Sequence, residues 1–101
     1  MVSRHYIKGR NEREQLIRKY ITDGNIIDKF IIDKGHKDGK EIHSITDTGL
    51  IIIHNQTSGK LITKLIARPQ QIQRYYDNAD KEPPKHILVL AQWHQDLHYN
   101  F

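Results

Sequence analysis

The spacing of apolar residues changes along this chain, and each change marks an element. From about Asn11 to Thr22, Leu16, Ile17, Tyr20 and Ile21 recur at helical spacing while Glu12, Arg13, Glu14, Arg18 and Lys19 fill the other face, which predicts a helix. Asp23-Gly24-Asn25 supplies its stop. Ile26, Ile27, Phe30, Ile31 and Ile32 then predict a strand, ended by the polar turn from Lys34 to Gly39. Three more strand-like runs follow, Lys40 to Ile45, Leu50 to His54 and Lys60 to Ala67, separated by the turn formers Thr46 to Gly49 and Asn55 to Gly59. Short turns between successive strands predict an antiparallel meander, with Ile51, Ile53, Leu61 and Leu65 toward the main core.

Pro69 suits the first turn of a helix running through Ile72, Tyr75 and Tyr76. Pro83-Pro84 introduce another, roughly Lys85 to Tyr99, in which Ile87, Leu90, Ala91 and Leu97 fall on one broad side that would cover the sheet. The predicted fold is therefore α+β: an N-terminal helix, a four-stranded antiparallel meander and two C-terminal helices. A length of 101 residues fits a single domain spanning 1–101.

Cysteine is absent, which removes disulfides, thiolate metal sites and cysteine nucleophiles together. Apolar runs are too short to cross a bilayer and the first residues do not read as a signal peptide, so the expectation is a soluble cytoplasmic protein without a membrane partner. A formal charge of +4 adds a pull toward polyanions such as RNA.

Hairpin register decides which polar side chains can meet on the sheet. If Ile45 pairs with Leu50, Glu41 lies opposite His54 and shares a face with His43 and His54; this is the working register. A turn with a Gly49 bulge pairs Thr46 with Leu50 instead and breaks that alignment. In the next hairpin, pairing His54 with Lys60 puts Lys60 and Lys64 on the His54 face and Thr63 on the other, and a one-residue slip reverses this.

Histidines with nearby cations are a sufficient inventory for metal-independent RNA cleavage, in which a base activates the 2′-hydroxyl, a cation stabilises the phosphorus centre and an acid protonates the leaving oxygen. His5, His43 and His54 could divide the proton transfers, with Lys64 and Arg68 at the phosphate. The plainer alternative makes these histidines tolerated strand residues, the cations solvated charges and the tyrosines packing residues. His94 and His98 have i, i+4 spacing compatible with zinc, with His86 nearby, but no HExxH pattern accompanies them; a solvated helix face is the default, and no metal or cofactor is expected.

The basic N-terminal segment with His5 and Arg10, the paired strands EIHSITDTGLIIIHNQTSGKLITKLIAR from Glu41 to Arg68, and the late tyrosines resemble the barnase, EndoU, colicin and RelE-like superfamily of small toxin ribonucleases. The likeness covers roughly residues 4 to 76, and the stretch from Glu41 to Arg68 is similar in style to the paired strands of prophage and polymorphic-toxin members. It implies a metal-independent endoribonuclease acting by histidine general acid and base. Catalytic positions would be His5, Glu41, His43, His54, Thr63 and Tyr76, with Tyr75 the alternative tyrosine. RNA would be held by Arg10, Lys60, Lys64 and Arg68, and an antitoxin or immunity protein would be the partner. Two other readings stay open: a non-catalytic phage-type protein that binds and inhibits another protein through the sheet edge or the C-terminal helix, and a nucleic-acid-binding accessory protein.

Overall fold

A computed structural model describes residues 21–35 and 39–98, the last of these by its backbone alone. Within that range the chain forms β1 (Ile26–Ile32), β2 (Glu41–Thr46), β3 (Leu50–Asn55), β4 (Leu61–Ile66), α1 (Pro69–Asn78) and α2 (Lys85–His98). The strands lie in the order β1-β2-β3-β4, every neighbour antiparallel, so the expected meander and both C-terminal helices are present. Of the predicted N-terminal helix, residues 11 to 20 lie outside the described residues, as do His5, Arg10 and Tyr99, while Ile21 and Thr22 have no regular structure.

β-branched residues in alternation give the sheet two apolar faces. On the main face, Phe30, Ile45, Ile51 and Ile53 pack with Ala67, Ile72 and Tyr76, and with Ile87 and Ala91 from α2. Leu50, Ile52 and Ile66 form a smaller cluster on the second face, joined by Ile21. Pro69 opens α1, where the backbone N–H of Arg68 donates to Gln71 Oε1 at 2.9 Å and so closes the helix start.

The β2–β3 register is the Gly49 alternative, with Thr46 level with Leu50, and not the working one. Ile45 pairs with Ile51, His43 with Ile53 and Glu41 with Asn55, placing Ile42 rather than Glu41 opposite His54. Turn chemistry is the cause: the Gly49 N–H donates to the Thr46 carbonyl at 3.1 Å, and the Leu50 N–H donates to Thr46 Oγ1 at 3.1 Å. Gly49 adopts φ +86°, and a Cβ there would sit 2.9 Å from His94 Cδ2, so the position requires glycine on two counts.

Two apolar expectations are also corrected. β4 carries a bulge, with Ile53 opposite Thr63 but His54 opposite Leu61. The extra residue, Ile62, shifts the side-chain parity, so Leu61 follows the His54 face and is 52% exposed instead of facing the main core. Leu65 pairs with Ile51 on the main face, yet its place on an outer strand leaves it partly exposed. On α2, Ile87, Ala91 and His94 point inward, whereas Leu97 is exposed, about a quarter turn from their centre at 3.6 residues per turn.

Candidate functional site

Glu41 and His43 stand two apart on β2 and therefore project from the same face. His43 is only 5% exposed. Its Nε2 lies 2.9 Å from Glu41 Oε1, and its Nδ1 is hydrogen-bonded to the hydroxyl of Tyr75, which α1 brings over the sheet. The Tyr75 ring stacks on Phe30 at 5.3 Å between centroids and meets His43 edge-on.

Burial, reinforced by the Glu41 charge and opposed by that of Arg74, pushes the Tyr75 phenol up to about 12. With the phenol protonated, it donates to His43 Nδ1, and Nε2–H donates to Glu41. The order hydroxyl, imidazole, carboxylate is that of an acid–base relay. It is equally the way to satisfy both nitrogens of a buried imidazole, each bond stabilising by about 1 kcal/mol.

Among the described residues, the other expected catalytic groups do not join this relay. His54 belongs to the second face, with Lys64, as pairing of Ile42 with His54 and of Ile52 with Lys64 requires. Lys64 Nζ forms an ion pair with Asp23 at 2.7 Å. Thr63 shares the main face with His43 but lies two strands away across Ile53, about 10 Å at the usual strand separation. Tyr76 points into the core, edge-on to Phe30 at 5.0 Å, and leaves Tyr75 as the tyrosine that reaches histidine. Burial first, then the nearby Asp28 carboxylate, push Tyr76 up to about 12, although no described group meets its hydroxyl in hydrogen-bond geometry.

Among the cations, Lys60 is exposed in the β3–β4 turn and Arg68 is exposed at the N-cap of α1. On α2, His94 is 4% exposed and its Nε2–H donates to the Thr48 carbonyl at 3.0 Å. No group of three His, Asp or Glu side chains among the described residues is placed to hold a metal.

Sequence reasoning offered the C-terminal helix as a binding surface but missed the apolar row on the outer face of α2. Val89, Trp93 and Leu97 recur every four residues and are 69%, 56% and 56% exposed. Beside them a shallow depression of about 400 Å³ between the helices is lined by Pro69, Gln70, Gln73, Leu88, Val89 and Gln92. The signal was available as the i, i+4, i+8 repeat, but the apolar residues of α2 surround most of the helix, and a single inward side was assumed. Compared with known protein families, curated proteins and solved structures, the chain matches none, so the reading of its site rests on these residues alone.

Proposed function

We propose that this chain is a protein-binding domain that docks a partner on the outer face of α2. The carrying observation is the contiguous apolar run of Val89, Trp93 and Leu97 on a helix whose opposite side is already committed to the core. Exposed apolar residues are ordinary when scattered, but a rigid, regularly spaced row centred on tryptophan has the character of an interaction surface. The described candidate catalytic groups of the sheet are divided between its two faces, which favours binding over catalysis. A photo-crosslinking amino acid in place of Gln92, on the rim of the row, should give a discrete covalent adduct in the expressing cell; irradiation that yields no adduct overturns the proposal.

Metal-independent RNA cleavage is a second reading, favoured by the meeting of Glu41, His43 and Tyr75. In that case RNA cleavage by the purified protein should persist in EDTA and be lost in a folded His43→Gln variant. Unchanged cleavage by that variant would remove this reading.

A further inference from the structure

We infer that the partner on α2 is a second copy of the same chain, joined by antiparallel pairing of the two α2 helices about a two-fold axis. The inference rests on α2 being the docking surface and adds what occupies it. Lys85, Val89, Gln92, Trp93 and Asp96 are all exposed and fall within an arc of about 100° at 3.6 residues per turn. The arc is cationic where the helix begins, apolar in the middle and anionic near its end. Such an order complements itself only when reversed. An axis level with Ala91 sets Val89 against Trp93 of the second copy. The same operation brings Lys85 to within one residue, about 1.5 Å along the helix, of the height of Asp96 in the second copy.

Both charged side chains lie on the same flank of the row, Lys85 about 40° and Asp96 about 20° from Val89. Rotation about an axis perpendicular to the helix pair keeps them on a common side. Parallel pairing about an axis along the helices would set Lys85 level with Lys85 and Asp96 level with Asp96 on opposite flanks, with no opposite-charge pair across the contact, so the charges favour the antiparallel arrangement. The contact is isologous and closes on itself, giving a dimer rather than a filament. The three apolar side chains offer on the order of 300 Å² per copy, below the roughly 800 Å² per partner of stable complexes, so the dimer is a reversible one.

Sedimentation velocity of the full chain, from low-micromolar to millimolar concentration, tests this directly. The mass should rise from 11.9 kDa toward twice that value. Trp93 is the only tryptophan, and its emission should shift to the blue in step with the mass. Trp93→Ala should weaken association by about a hundredfold. Lys85→Glu and Asp96→Lys should each weaken it roughly fivefold, and the double variant should return to within about twofold of the parent. A monomer at every concentration, a dimer indifferent to Trp93→Ala, or a charge swap that does not restore association overturns the inference. Crosslinking at position 92 separates it from the proposal beneath it. An adduct of two copies supports both, an adduct with another protein sinks self-association and leaves the docking surface, and no adduct sinks both.

Discussion

Two adjacent tyrosines on α1 provide a controlled comparison. Tyr75→Phe removes the hydroxyl that donates to His43 Nδ1 and keeps the ring on Phe30. His43 is buried, so its unpaired nitrogen has no ready access to water and the loss should be about 1–3 kcal/mol. For a domain near this size that corresponds to a fall in Tm of about 4–8 °C per kcal/mol. Tyr76→Phe removes a hydroxyl that is buried from solvent but lacks a described partner in hydrogen-bond geometry. Its effect should lie within about 0.5 kcal/mol of zero or be stabilising, because a desolvated polar atom is exchanged for an apolar edge. Urea unfolding followed by circular dichroism measures both, with equal slopes required for comparison. Equal losses in the two variants, or no loss in Tyr75→Phe, would refute the view that the Tyr75 bond satisfies a buried imidazole.

Alkaline pH should act on the same two side chains. Folding raises each phenol from 10.0 to about 12, chiefly by burying it, so between these values the folded state holds more protons and stability falls as pH rises from about 10 through about 12. The alkaline loss is on the order of 2 kcal/mol per tyrosine, and Tyr75→Phe should flatten the decline seen in urea melts across that window. Gly49→Ala forces a side chain into φ +86° and against the His94 ring, and should cost about 1–3 kcal/mol in the same melts; a neutral result would disprove the fit of α2 over that turn.

Strand identity was legible because β-branched runs alternate with turn formers, and the observed strand ends lie within about a residue of the expected ones. The β2–β3 register was legible only as one of two alternatives, because contacts made at a distance help to choose between them. Besides the local bond from the Leu50 N–H to the Thr46 hydroxyl, the β2–β3 turn is shaped by Asn25 bonded to Asp47 and by His94 over Gly49, and neither of these distant contacts is implied by the turn's four residues. The Glu41 and His43 pairing follows from i, i+2 spacing and could be read locally. Their link to Tyr75 depends on how α1 crosses the sheet. The separation of His43 from His54 follows from a shift of one residue in pairing, to which the side-chain pattern of a strand apolar on both faces is nearly indifferent.

The segment entering β1 is held by parts of the chain far from it in sequence. Asn25 N–H donates to Asp47 Oδ1 at 2.8 Å, Asp47 N–H returns a bond to the Asn25 carbonyl at 2.9 Å, Thr48 Oγ1–H donates to the Thr22 carbonyl at 2.7 Å, and Asp23 is tied to Lys64. Mechanically this is a clasp. A pull on the chain ahead of Ile21 reaches the β2–β3 turn and β4 before it reaches the ladder between β1 and β2. Tension is thereby shared among several bonds at once, and β1 cannot be peeled from its leading end until the clasp has opened.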